Sequence, residues 1–243
     1  MNEQLNAPMP SGTPGFAGWF STWMTAVTKP NEQTFAEMAE HPDAQSNNQA
    51  FIWVFLAGTI AALISGVLQA ILGLAGFEAV PGLADLFGGN AQRGVGVTLG
   101  IAICSSPVAG ALGTLGFAIG VGVIQWIAKL FKGIGTYSQL AYTMAAVTVP
   151  FTLVSSILTP FSVIPYVVYC ASGVSILLGL YAFVLQLMAV KGVNKFGWGQ
   201  ALGSVLLPGF VLACCAVVVI TVMASLGAAV GETFNSINQN LAP

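Results

Sequence analysis

The chain has 243 residues and a formal net charge of −2, and 56% of its residues are hydrophobic while only 6% are charged. A soluble domain usually has about 25% charged residues, so this composition excludes a water-soluble globule and predicts an integral membrane protein. A total of six Lys and Arg residues also argues against a nucleic acid partner, because phosphate binding needs clustered basic side chains.

The N-terminal segment is the longest polar part of the chain. Residues 1–15 contain three prolines and many small polar residues, which is typical of a disordered tail. Residues 16–49 contain two short helical patterns, and we expect them to form cytoplasmic amphipathic helices at the membrane interface. The second pattern, over 31–40, places Phe35 and Met38 inward.

The first of these helical patterns carries an aromatic stripe. Phe16, Trp19, Phe20 and Trp23 recur at three- and four-residue spacing, so they share one face of a helix over 16–27. Aromatic side chains on a short helix before a membrane span are typical of a segment that lies flat in the membrane interface. Packing of the stripe on the protein's own cytosolic loops is the alternative, and both arrangements can hold at once.

Five apolar segments are long enough to cross the membrane, whose hydrocarbon core is about 30 Å thick. The segments cover residues 50–75, 94–128, 139–158, 166–189 and 201–229. The sequence therefore predicts an all-α fold: a polytopic membrane helical bundle with five transmembrane helices over 50–230, followed by a short polar tail over 231–243.

Small residues at four-residue spacing mark helix faces on which another helix can approach closely. We expect such packing at six positions: Gly58, Ala62, Gly66 and Ala70 in the first span, and Gly116 and Gly120 in the second. Pro107 predicts a kink in the second span. Glycine- and proline-broken helices also line substrate paths in transporters, so a path for a small neutral solute is an alternative use of this span.

The basic residues predict how the chain is threaded. With a cytoplasmic N-terminus and five spans, all the lysines lie inside and Arg93 alone lies outside, which satisfies the positive-inside rule. The lysines are Lys29, Lys129, Lys132, Lys191 and Lys195. The C-terminal tail is then expected outside.

The spans lack the side chains that membrane enzymes and pumps use. No Asp, Glu, Lys, Arg or His lies in the middle of a span, and neither an HExxH nor a P-loop pattern occurs. The four cysteines lie in apolar runs without C-x-x-C spacing, so we expect packing residues rather than metal ligands. His41, the single histidine, has no sequence-near partner for metal or acid–base work and is expected at the surface. We therefore expect no catalytic, metal-binding or cofactor-binding residues.

Three blocks of the sequence occur in an order and spacing typical of a known family. They read TWMTAVTKPNEQTFAEMAEHP, GTYSQLAYTMAAVTVP and YAFVLQLMAVKGVNKFGWGQALGSVLLP. The last two contain Tyr142, Pro150 and Pro208. In these features, over about residues 18–230, the chain resembles the Yip family, the Ypt-interacting proteins, in its compact bacterial form.

The resemblance implies five spans with a cytoplasmic N-terminus, signature roles for Tyr142, Pro150 and Pro208, and a non-enzymatic protein of the bacterial plasma membrane. Eukaryotic members carry a longer cytosolic N-terminal region and a D-L-Y-G-P-type motif that does not occur in this sequence. Their roles with small GTPases and in vesicle traffic are therefore not carried over.

The expected function follows from the residue patterns of the spans and from the family resemblance. We expect a membrane-organising or interaction protein that contacts the lipid bilayer and other membrane proteins, as a homo- or hetero-oligomer or as an accessory subunit of a larger membrane complex. A passive permease or channel for a small neutral solute is the alternative.

Overall fold

The structure is a computed structural model that describes residues 15–75 and 91–211, with a few positions beyond 211. All regular secondary structure in these ranges is helical. In chain order the helices are α1 (Phe16–Thr28), α2 (Glu32–Glu40), α3 (Asn48–Leu74), α4 (Ala91–Leu130), α5 (Tyr137–Leu158) and α6 (Val167–Asn194). Short 3-10 helices follow α2 and α5, at Pro42–Gln45 and Thr159–Val163. A further helix, α7, begins at 198 and is described through 211.

Four helical segments in the described ranges are long and apolar enough to cross a membrane, which confirms the predicted polytopic helical fold. They are Asn48–Leu74, Thr98–Leu130, Tyr137–Val163 and Val167–Asn194. The prediction counted five spans; the described residues supply four, because the fifth predicted span, 201–229, is described without a break only through 211. The predicted tails over 1–15 and 231–243 also lie outside the described residues, apart from Gly15.

Helix α5 occupies the centre of the described bundle, where it contacts α1, α2, α3, α4 and α6. Every residue from 140 to 147 is buried. The polar Thr143 in this stretch donates its hydroxyl to carbonyls of its own helix, at 3.1 Å, and the other side chains are mainly apolar, so the stretch is enclosed rather than amphipathic. A capping box fixes the start of α5: the Gln139 N–H donates to Thr136 Oγ1 (3.3 Å), and the Thr136 N–H donates to Gln139 Oε1 (2.9 Å).

Helices α3 and α4 form the most extensive helix pair of the described chain. A Cβ on Gly58 would lie 3.2 Å from Gly110 Cα. Gly66 faces Ala102 so closely that a Cβ there would not fit without a shift. Glycine at these two positions of α3 therefore lets the two backbones approach closely.

The chain before α3 covers the bundle rather than standing apart from it, and we call residues 15–47 the N-terminal cap. Helix α2 begins after Asn31, whose side chain accepts a hydrogen bond from the Gln33 N–H (3.3 Å). Its apolar face buries Phe35, Met38 and Ala39 against α5 and α6. This burial ties the cap to the membrane-spanning helices.

The aromatic residues of α1 differ in exposure, and two of them pack on α3, while their contact with the membrane interface stays a prediction. Trp23 is buried and Trp19 is half-buried, and both pack on Trp53 of α3. Phe16 and Phe20 keep 68% and 53% of their surface exposed, and the Phe16 ring also meets those of Trp19 and Trp23 edge-on, at 6.5 and 6.0 Å. Positions three and four residues apart span an arc of a helix, so spacing alone does not tell which edge of that arc meets protein.

Candidate functional site at the lysine-rich end

Several helix ends meet at one end of the described bundle. The turn between α4 and α5 reaches the end of α6, where the Ile134 N–H donates to Asn194 O (3.3 Å). The same turn reaches the start of α7, where Gln200 Nε2 donates to Phe131 O (3.5 Å). We call this the lysine-rich end, because it brings together four lysines of the sequence prediction: Lys129, Lys132, Lys191 and Lys195.

A pair of buried amides joins α4 to α6 at this end. The side chains of Gln125 and Asn194 hydrogen-bond to each other twice, at 3.2 and 3.3 Å. Gln125 Nε2 also donates to Gly135 O (2.6 Å), and Asn194 Nδ2 donates to Val190 O (3.1 Å). Both amides are almost fully buried, where an amide without partners costs about 1–3 kcal/mol. The pair therefore fixes α4, α6 and the turn before α5 to one another.

Sequence reasoning did not single out either amide. The available signal was Gln125 itself, because a strong hydrogen-bonding side chain inside an apolar helix needs a partner. Only the fold shows that the partner is Asn194, 69 residues further along the chain.

Two ion pairs hold α2 against the last turns of α6. Lys191 pairs with Glu32, and Lys195 Nζ lies 3.5 Å from Glu40 Oε1. The Lys191 ammonium also stands over the Trp198 ring of α7, 4.6 Å from its centroid. Through Lys191, these contacts connect the N-terminal cap to the end of α6 and to the start of α7.

A glycine lies between the two paired lysines and permits the contact. A Cβ on Gly192 would lie 2.6 Å from Glu32 O, 3.1 Å from Phe35 Cβ and 3.2 Å from Ala36 N. Two of these three atoms belong to the α2 backbone, which cannot move without shifting the helix. Gly192 therefore sets how closely α2 rests on α6.

Tyr142 lies in an aromatic cluster between the N-terminal cap and α3. Its ring centroid lies 5.0 Å from that of Trp53 and 6.2 Å from that of His41, which stacks on it at an interplanar angle of 5°. Trp53 in turn meets Trp19 and Trp23 edge-on, at 6.2 and 5.7 Å. Offset-stacked and edge-on rings are the favoured geometries of aromatic pairs, so Tyr142 helps to join α1, α3 and the 3-10 helix to α5.

The sequence predicts a surface histidine, and the structure places His41 half-buried. Its side chain is 28% exposed, and Nδ1 accepts a hydrogen bond from the Asp43 N–H (3.3 Å). The ring caps the 3-10 helix that starts at Pro42, while Tyr142 covers one of its faces. The signal in the sequence was a polar side chain directly before a proline, which is typical of a helix start.

The remaining residues that the sequence predicts for helix packing or as family signatures differ in how deeply they are buried. Ala70 is buried, and Ala62, Pro150 and Pro208 are half-buried. Gly116 and Gly120 are exposed, and a Cβ at either position would meet nothing within 4 Å in the described chain. This GxxxG pair therefore packs against no described part of its own chain.

The cysteines do not fill the interior, which corrects the expectation of packing residues. The side chains of Cys104, Cys170 and Cys214 are exposed, and that of Cys215 lies outside the described residues. A thiol is weakly polar, so a membrane-facing position suits it as well as an interior one. Among the described residues no group of three or more His, Cys, Asp or Glu could hold a metal ion.

Comparison with known proteins decides the family. The family model of the Yip1 domain matches residues 24–220. The chain belongs to the Yip1 domain family. This confirms the resemblance in the sequence, and the matched range includes Tyr142, Pro150 and Pro208. No curated protein and no solved structure matches the chain.

The matched range shows which parts of the molecule belong to the Yip1 domain. It begins within α1 and continues through the cap and the bundle into α7. The lysine-rich end, with its ion pairs, amide pair and aromatic cluster, therefore lies within the domain.

Proposed function

We propose that this Yip1-domain protein is a non-enzymatic membrane-organising protein that binds a transmembrane helix of another subunit through α4. The observation that carries the proposal is a second small-residue face on this helix. One face, which includes Ala102 and Gly110, packs on α3. The second, which we call the outer small-residue face, is exposed and consists of Ala109, Gly113, Gly116 and Gly120.

No described neighbour requires glycine, rather than a larger residue, at the glycine positions of the outer small-residue face. A Cβ at Gly113, Gly116 or Gly120 would meet nothing within 4 Å inside the described chain. Glycine in a helix interior costs up to about 1 kcal/mol relative to alanine. In a membrane, such a face lets a second helix approach and gain van der Waals contact. A helix from another copy or from a different membrane protein could pack closely on these glycines.

We also propose that the lysine-rich end faces the cytoplasm of a bacterial plasma membrane. Four lysines cluster at this end, and positive residues are enriched in cytoplasmic segments. The exposed aromatic residues of α1, Phe16 and Phe20, would then contact the inner leaflet.

One apolar groove of the described bundle favours lipid over solute as its occupant. An apolar groove of about 550 Å³ lies between α3 and α4. Its lining residues are Phe51, Ile52, Phe55, Leu56, Ala111, Thr114, Leu115 and Ala118. Such a lining suits an acyl chain better than a polar solute, so this groove gives the permease alternative no support.

The test of the proposed function replaces the glycines of the outer small-residue face. Gly116→Leu combined with Gly120→Leu blocks the close approach of a helix. Gly173→Leu combined with Gly179→Leu on α6 is the matched control, because these glycines are also exposed and open. The protein is extracted with its surrounding lipid into nanodiscs, and the mass of each particle is measured by mass photometry. We expect complexes larger than one chain for the wild type and the control, and single chains for the α4 variant.

Two results would contradict the proposal. The first is a wild type that is a single chain in nanodiscs prepared directly from its membrane. The second is an α4 variant that assembles as the wild type does. A single chain that also accelerates glycerol entry into liposomes would support the permease instead.

A further inference from the structure

The turn between α4 and α5 has features that helix termination does not require. We propose that this turn, residues 126–134, binds the phosphate-bearing headgroup of an anionic phospholipid in the leaflet at the lysine-rich end. We call it the headgroup turn. Three observations lead to this ligand: a lysine in a backbone conformation that favours glycine, two lysines that pair with no described acidic residue, and a rim of exposed apolar side chains.

The first observation concerns the end of α4, which is a complete Schellman motif. The Gly133 N–H donates to Ala128 O (2.8 Å), and the Lys132 N–H donates to Lys129 O (3.0 Å). The motif requires a left-handed residue at the position of Lys132, whose φ is 63°. Glycine adopts this conformation without strain, whereas a residue with a Cβ does not. The chain therefore has a lysine where the geometry of the helix end favours glycine.

The second observation concerns the charges of the headgroup turn. Lys129 and Lys132 are exposed, and neither forms an ion pair with any described residue. Lys191 and Lys195, at the same end, each pair with a glutamate of α2. A cation in the last turn of a helix is favoured by the helix dipole, and Lys129 alone already supplies one. The strained Lys132 adds a second cation, which a phosphate group can use.

The third observation concerns the surface around the two lysines. Trp126, Leu130 and Ile134 are each 64–65% exposed. Trp126 lies three residues before Lys129 and thus beside it on the helix. Indole rings lie at the level of lipid headgroups, and lysine stems extend along apolar surface to reach water. A soluble anion or an acidic protein segment would leave the apolar rim in water, whereas a phospholipid covers the rim and neutralises the lysines together.

The experiment uses a substitution that the backbone favours. Native mass spectrometry of the purified full chain in detergent counts bound phosphatidylglycerol as its concentration rises. Lys132→Gly should bind phosphatidylglycerol about fivefold more weakly, and its melting temperature should be equal to or higher than that of the wild type. Lys129→Gln combined with Lys132→Gly should bind ~30-fold more weakly. Lys29→Gln, the same loss of charge at the end of α1, should change binding by less than about twofold.

Several outcomes would overturn the proposal. Equal phosphatidylglycerol binding by Lys132→Gly and the wild type would exclude a role for this lysine. A lower melting temperature of Lys132→Gly would assign the lysine to the fold. Equal binding of neutral phosphatidylcholine would show that the anionic headgroup is not what the turn recognises. Displacement of phosphatidylglycerol by glycerol 3-phosphate would indicate a site for soluble phosphate, and displacement by polyglutamate would indicate an acidic protein segment.

Discussion

At the scale of single residues, the lysine-rich end depends on two amide side chains that are buried and fully paired. The amides of Gln125 and Asn194 each bond to the other and to a backbone carbonyl, which joins α4 to α6 in an apolar setting. Loss of one amide leaves the other with fewer partners in a place that water does not reach. The cost of a substitution here is therefore set by desolvation of the remaining group.

Substitution of Asn194 or Gln125 by leucine should destabilise the protein, by about 1–3 kcal/mol for each variant. The double variant should cost less than the sum of the two, since the second substitution removes a partner that is already lost. Thermal unfolding in detergent measures all three variants. Gln33→Leu is a control, because the Gln33 amide is exposed and donates only to the side chain of the exposed Glu37 (3.0 Å). Strictly additive costs would show that the two amides do not act as a pair.

At the scale of elements, the N-terminal cap is a short amphipathic layer held in place by α6. Apolar burial of α2 and two ion pairs act together, and the ion pairs are partly exposed. Exposed pairs contribute little, usually about 0–1 kcal/mol. The close approach of α2 to α6 at Gly192 therefore matters more to docking of the cap than the charges do.

The substitution Gly192→Ala tests this close approach. The new methyl group would overlap the α2 backbone, so we expect a loss of about 1–3 kcal/mol in stability and faster proteolysis within residues 15–47. Gly179→Ala on the same helix is the matched control, because a Cβ there meets nothing within 4 Å in the described chain. Limited proteolysis and thermal unfolding measure both variants. Equal protection of the cap in Gly192→Ala and Gly179→Ala would contradict the role given to Gly192.

At the scale of the whole molecule, exposed aromatic residues mark two levels along α6. Tyr166 and Tyr169 lie at its start and are 84% and 77% exposed, while Lys191 near its end faces the exposed Trp198 of α7. From Tyr169 to Lys191 the helix rises about 33 Å, close to the ~30 Å of a bilayer core. The two levels therefore fit the two membrane interfaces.

Cysteine labelling checks this placement of the membrane. In a variant with its native cysteines replaced by alanine, single cysteines at 37, 132 and 195 should react from one side of the membrane. A cysteine at 166 should react only from the other side. A membrane-impermeant maleimide applied to sealed vesicles of known orientation measures both, and reaction of positions 132 and 166 from the same side would refute the placement. The cytoplasmic side is identified in the same experiment.

The membrane helices are predictable from sequence because hydropathy is a local property. The first predicted span, 50–75, differs from α3 (Asn48–Leu74) by one or two residues at each end. The contacts of the lysine-rich end are not local. Tyr142 is marked by the family pattern, yet nothing in its spacing predicts that His41 stacks on it. The close approach at Gly192 likewise depends on where α2 docks, which no periodicity along α6 encodes.

One dimension of α4 has a consequence for the membrane itself. The helix has 40 residues and is about 60 Å long, twice the ~30 Å of a bilayer core. Pro107 lies about 35 Å from the end of the helix at Leu130. A helix that enters the bilayer at the lysine-rich end has crossed the hydrocarbon core by about that length, so Pro107 lies near the far interface. A thinner bilayer requires α4 to tilt more or to protrude further, and either change carries an energetic cost. Membrane thickness thus becomes a variable that can sort this protein among lipid environments.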